Sequence, residues 1–335
     1  MKRFPSKTAI ILFAMVLAFV LVAGSVGAEA KKHYYYIGAV NAHPYFLDAW
    51  LGIEYTKKAL NVDITVLGPN DYDTAKEAAA IEQTIPKKPD GIMVPLWDSA
   101  PVPAIKKAMA AGIPVVAVYT TVPDSGAIGY VGLDNYMAGY DTAVELIKRG
   151  GPSGKLGIIM NAGASNTEAK KAGALAALKD SKWEVVVQAE DKANTEAAIE
   201  AAKSMFNSHP EITGVLGLDS SSGTGLGRAI EELGLQKKKM TIVVHDREDV
   251  TLDYIDKGLI AATVEAKTAI APYLAVLLMQ DYNGRKQAKD VPISINNWDS
   301  GVKSFPQFVY VGSVIIDKSN VKNFLRKAMP KAMKP

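Results

Sequence analysis

Residues 90–99 read DGIMVPLWDS, a helix-like run follows, and residues 112–120 then read GIPVVAVYT. Farther along, TGVLGLDSS at 213–221 leads through another helix-like run to GLQKKKMTIVVHD at 234–246. In both places a short Val/Ile-rich strand ends in Asp-Ser, a helix follows, and a Gly at its end opens a second apolar strand. Such a Gly suits the left-handed position that closes many helices. The echo is too degenerate and too long in period for a solenoid. It is the mark of one α/β unit used twice.

Outward from this pair the same rhythm fills the chain. Strand-like runs stand at YYYIGAV (34–40), DITVLGP (63–69), GYVGLDN (129–135), KLGIIMN (155–161) and WEVVVQA (183–189). Helix-like runs lie between them, near 45–60, 73–86, 100–111, 135–149, 165–180, 195–207 and 223–234. The strands lack strict apolar/polar alternation, as strands covered on both faces by crossover helices do. Repeated βαβ units predict parallel sheets flanked by helices. About 300 residues fit two Rossmann-like lobes better than one very wide sheet.

The first residues have a different character. Lys2, Arg3 and Lys7 precede an apolar run from Ala9, which ends in small residues at Val26-Gly27-Ala28 and Ala28-Glu29-Ala30. This is the pattern of a cleavable secretory signal over residues 1–30; a retained membrane anchor is the rival, since the run is nearly long enough to span. The full chain carries a formal charge of +3. Loss of the leader removes most of that excess, and no basic stripe remains to suggest nucleic acid. With no cysteine, the exported protein has neither a disulfide framework nor a lipid-anchoring thiol, and its core must hold it together. A soluble periplasmic protein is expected.

In open parallel sheets ligands sit beyond the carboxyl ends of the strands. Those ends carry His43, Tyr45 and Phe46, then Trp97 and Asp98, then Tyr119 and Thr120 in the first half. The second half offers Asn161, Ser165 and Asn166, then Asp191 and Lys192, Asp219, and His245 to Arg247. Two such rims facing each other predict a cleft with aromatic rings on one side and hydrogen-bonding groups on the other, which describes a small-molecule pocket. Asp98 also suits a cap or turn, Asp219 a helix N-cap, and Lys192 and Arg247 solvated surface charges.

HPYF (43–46), GIPVVAVYT (112–120), YVGLDNYMAG (130–139), GVLGLDSSSGTGLGRAI (214–230), MTIVVHD (240–246), GLIAATVEA (258–266) and VYVGSVIIDKSNVKNF (309–324) come in an order and spacing that resembles the type I periplasmic sugar-binding proteins, the ribose-binding group among them. The resemblance implies two lobes, 31–132 with 267–312 and 133–266 with 313–335, joined by a three-crossing hinge and closing over one sugar or polyol. It implies stacking by Tyr45 and Phe46 with His43 beside them, and hydroxyl acceptance by Asp219 and Asp246. Lys170 stands where the family usually has arginine, Tyr119 and Thr120 where many members have an Asp-Arg pair, and Lys192 where some have another ring. A lysine lacks the planar fork of arginine, so the identity of the sugar stays open, acidic sugars included. The expected partners are an ABC importer's permease, with a chemoreceptor or sensor kinase as the alternative, and the protein is expected to be monomeric.

Enzyme signatures are poor. Gly223-Thr224-Gly225-Leu226-Gly227 does not complete a dinucleotide fingerprint, and Ser221 and Ser222 lie outside any G-x-S-x-G. Histidines 33, 43, 209 and 245 show no metal-ligand spacing. A binding protein without cofactor or metal is expected rather than an enzyme; a secreted sugar-modifying enzyme is the weaker alternative.

Overall fold

A computed structural model describes residues 30–285, 293–295, 300 and 306–326. The expected leader, except Ala30, and the last nine residues of the second lobe fall outside the described residues. The compact body begins at His33.

Two six-stranded sheets are built to one plan. The first has the order β11-β5-β4-β3-β1-β2, from β1 (His33–Ile37), β2 (Asp63–Leu67), β3 (Gly91–Val94), β4 (Val115–Tyr119), β5 (Gly129–Gly132) and β11 (Phe308–Tyr310). The second has the order β12-β10-β9-β8-β6-β7, from β6 (Ser153–Met160), β7 (Lys182–Glu190), β8 (Gly214–Gly217), β9 (Thr241–His245), β10 (Ala262–Ala266) and β12 (Ser313–Asp317). Adding five to each of the first five strand numbers converts one order into the other, so the internal echo of the sequence is an echo of topology. Among the described residues all pairings are parallel but one: β12 runs antiparallel to β10. The chain re-enters the second sheet at Ser313, opposite Ala266 at the end of β10, and can only run back from there.

Both faces of each sheet are buried. In β1, Tyr34 and Tyr36 point into a cluster with Ala49 and Ile53 of α1 (Leu47–Ala59) and Ala275 and Met279 of α9 (Ala271–Arg285). Tyr35 and Ile37, one residue out of phase, point into a second cluster with Ile81 of α2 (Thr74–Thr84) and Ile105 of α3 (Val102–Ala110). This is why the strands read as unbroken apolar runs. The second sheet packs the same way between α4 (Asn135–Gly150) with α5 (Ser165–Leu178), and α6 (Thr195–Ser208), α7 (Ser220–Glu232) and α8 (Asp249–Lys257). Helix starts are fixed locally. Asp73, Asp134 and Asn194 accept from the amides of Lys76, Met137 and Ala197, which satisfies first-turn N–H groups.

Among the described residues the chain passes between the lobes three times: after Gly132, after Ala266 and after Tyr310. The crossings lie side by side, with the Val311 amide donating to Gly132 O at 2.9 Å and the Lys267 amide to Gly312 O at 3.4 Å.

Candidate functional site

His43 opens the site because of the proline behind it. A residue before proline is held extended, and His43 sits at φ −69°, ψ 134° as the cap of a single 3-10 turn, Pro44–Phe46. Its Nδ1 accepts from the Tyr45 amide at 3.2 Å. Burial holds its pKa below the ordinary histidine value, with Asp219 acting weakly the other way, so the ring is neutral with its proton on Nε2. That nitrogen lies 3.4 Å from Ser221 Oγ in the other lobe.

The turn delivers two rings to the cleft. Tyr45 meets Phe46 edge-on at 5.0 Å and Tyr119 at 6.0 Å. Phe46 stacks on Trp50 at 5.8 Å and presents an edge to Trp97 at 6.4 Å. The result is an aromatic wall of Tyr45, Phe46, Trp97 and Tyr119 on the first lobe, and these four line one cavity. Counting its mouth open to solvent, that cavity holds about 840 Å³.

The opposite wall is polar. Asn166 and Lys170 stand one turn apart on α5 and so share a face. Lys170, 4 % exposed, donates to Leu218 O at 3.2 Å. An ammonium has three donors, and no carboxylate among the described residues comes within ion-pair distance of this one. Asp219 caps α7, accepting from the Ser221 amide at 3.0 Å, and also lines the cavity. Asp246 adopts a left-handed φ of +67°, its amide donating to Val264 O and its carbonyl accepting from Thr263 Oγ1. Tyr119, at the end of β4, is likewise left-handed at φ +65°. Non-glycine residues seldom adopt this backbone, and here it occurs on both walls. Burial pushes the Asp246 carboxyl up to about 6, against the pull of Lys170.

Three buried atoms of this lining find no hydrogen-bond partner in the protein: Trp97 Nε1, Tyr119 Oη and Asn166 Oδ1. Buried polar groups are nearly always paired, so three unpaired atoms in the lining of one cleft stand out.

Nine of the twelve expected residues thus come together: His43, Tyr45, Phe46, Trp97, Tyr119, Asn166, Lys170, Asp219 and Asp246. Three stay outside the lining. Asp98 accepts from Thr74 Oγ1 at 3.0 Å and from the Ala100 amide at 2.8 Å, so it is a turn residue. Thr120 Oγ1 lies 2.9 Å from Ser165 Oγ, and this contact joins the two lobes. Lys192 is exposed in a left-handed turn at φ +54°; its neighbour Ala193 lines the cavity instead. Sequence reasoning missed Tyr72, Asn135 and Thr268, which also line it. Tyr72 and Thr268 precede helices rather than end strands; Asn135 closes the strand-like run GYVGLDN but belongs to α4 in the fold.

A sequence profile of the periplasmic binding protein domain matches residues 34–287. The chain belongs to the periplasmic binding protein family. The binding protein is 22 % identical over 307 residues to the xylose/arabinose-binding protein XylF of Sulfolobus acidocaldarius, spanning 87 % of this chain and 72 % of that one. Its fold matches the structure of AraP, an arabinose binding protein from Geobacillus stearothermophilus, with a TM-score of 0.75 and 26 % identity over 88 % of this chain and 99 % of the other. A solute binding protein of an ABC transporter from Actinobacillus succinogenes 130z, solved with bound D-allose, matches with a TM-score of 0.72 and 25 % identity, covering 88 % and 100 %. No helix among the described residues is long and apolar enough to cross a membrane.

Proposed function

We propose that the mature protein captures a neutral sugar or polyol between its lobes in the periplasm and presents it to an ABC importer. The observation that carries this reading is the pairing of an aromatic wall with unpartnered buried polar atoms across the cleft. A pyranose or polyol has C–H faces that pack on rings and hydroxyls that both donate and accept. Trp97 Nε1 and Lys170 Nζ supply donors; Asn166 Oδ1 and the Asp219 and Asp246 carboxylates supply acceptors, and Tyr119 Oη serves as either. Charge argues for neutrality. Lys170 is the one lining lysine or arginine among the described residues, and it faces two aspartates. A sugar acid would add a third negative charge. The sugars named for the relatives, xylose, arabinose and allose, are neutral.

In the same reading residues 1–30 direct export and are removed, and the lobes are 31–132 with 267–312 and 133–266 with 313–335. Sequencing the amino terminus of the exported protein tests the first point: a start at Glu29 or Lys31 supports it, and Met1 sinks it.

The ligand is tested by thermal shift on residues 31–335 against neutral pentoses, hexoses, polyols and sugar acids. A ligand at a hundred times its Kd stabilises by about 2.7 kcal/mol. Hits among neutral compounds support the reading. Hits among acids alone, or none with the folded, stripped protein, overturn it.

A further inference from the structure

Beside the sugar cleft, and sharing Tyr45, Asp246 and Thr268 with its wall, lies a smaller cavity lined by charges. Its centre is Asp48, in the first turn of α1 on the first lobe, only 4 % exposed. Everything that pairs with it comes from the second lobe. Arg247 grips it as a fork, Nε to Oδ2 at 2.8 Å and Nη2 to Oδ1 at 2.6 Å. Arg326 Nη2 approaches the same Oδ1 at 3.4 Å. The arginines are anchored in their own lobe: Arg247 Nη1 donates to Phe324 O at 2.9 Å, and Arg326 Nη1 to Asp249 Oδ1 at 3.3 Å.

We propose that Asp48, Arg247 and Arg326 form an interlobe latch that favours the closed arrangement before sugar arrives and so sets sugar affinity from outside the sugar pocket. The physical reason is an imbalance on opening. Separated from Asp48, Arg247 retains Glu265 at 3.6 Å and Arg326 retains Asp249, but the two-point fork is lost and the Asp48 carboxylate is left without either guanidinium on the other lobe. Planar two-point pairing of arginine with carboxylate is also directional, so the latch has one register and defines one closed geometry. A protein whose competent state is populated in advance binds with less of its affinity lost to conformational selection. Arg247 directly follows Asp246, which lines the sugar pocket, so sugar and latch act on the same short segment.

The latch rests on the sugar-binding reading for its effect on affinity, but not for its effect on shape, and the test separates the two. The chain has no cysteine, so Asp71→Cys with Glu196→Cys, exposed sites flanking the two rims, takes a pair of spin labels cleanly. Pulsed electron resonance on the sugar-free protein is expected to show a closed population. Asp48→Asn and Arg247→Met each shift it toward longer distances, and the double variant shifts it no further than the singles. Arg326→Gln, which leaves the fork intact, shifts it less. Where a sugar is in hand, the fork variants bind it about tenfold more weakly while saturating sugar restores the short distance. Sugar-free distances that are unchanged by Asp48→Asn and by Arg326→Gln overturn the proposal, as does a native protein found open alone. A panel without any binding sugar would sink the functional reading and leave the distance test standing.

Discussion

Gly139 of α4 lies so close to the carbonyl oxygen of Lys170 on α5 that a methyl group at position 139 would overlap it. Gly173 repeats the arrangement in reverse, against the backbone of Tyr136 and Tyr140. The two helices therefore touch backbone to backbone, and this contact fixes how far Lys170 reaches toward the cleft.

Gly139→Ala should push α5 aside and carry Lys170 with it. Overpacking of this kind destabilises by about 1–3 kcal/mol, and sugar affinity should fall with it. Gly284→Ala, in α9 with open space at its Cβ position, is the control and should be neutral or slightly stabilising. Chemical unfolding and calorimetric titration of both variants decide it; equal effects at the two sites would refute the positioning role.

Tyr119→Phe removes a hydroxyl that no protein group satisfies. The empty protein should lose no stability and could gain some, because an unpaired buried hydroxyl costs free energy. Sugar affinity should nevertheless drop about 3- to 10-fold, the worth of one ordinary hydrogen bond. Melting curves with and without sugar separate the two effects.

Sugar binding should weaken as pH falls through about 6, where Asp246 takes up a proton and stops accepting from hydroxyls. Lys170 holds that pKa down, so Lys170→Met should move the midpoint to higher pH as well as weaken binding about 10- to 100-fold at neutral pH. Titrations at fixed ionic strength from pH 5 to 8 would show it. A midpoint that stays put in the variant would dissociate Lys170 from Asp246.

Asp191 is wholly buried, takes a 2.7 Å hydrogen bond from Ser222 Oγ, and is pushed up to about 8 by burial and by Asp219. The folded chain thus keeps a proton that the unfolded chain releases near pH 4. Stability must fall as pH rises from about 4 and level off above 8. His43 and His245, both lowered by burial, work in the opposite sense, but only below about 6.5, where the unfolded histidines charge. Between pH 7 and 8.5 the melting temperature should therefore drop by about 2–4 °C, and Asp191→Asn should flatten that decline.

The strands were legible because burial on both faces leaves an unmistakable apolar run, as in GIMV and VVAVY. Helices α8 and α9 fell outside the alternation read from the chain. The second lies on the return crossing, where the rhythm of βαβ units breaks. The reversed β12 was not legible either, since direction depends on where a crossing strand lands. At the site, residues at strand ends were found because topology puts ligands there. Tyr72 and Thr268 reach the cleft from turns before helices, and no local pattern announces them. The ion pair of Asp48 with Arg247 joins residues 199 positions apart, a coincidence only the folded chain displays.

The three crossings are bonded edge to edge, Gly132 to Val311 and Gly312 to Lys267, as a narrow three-ply ribbon. A ribbon of that kind flexes about the line across its plies and resists shearing or twisting along them. Opening is thereby reduced to a single angular coordinate. An outside partner can read that angle without touching the sugar.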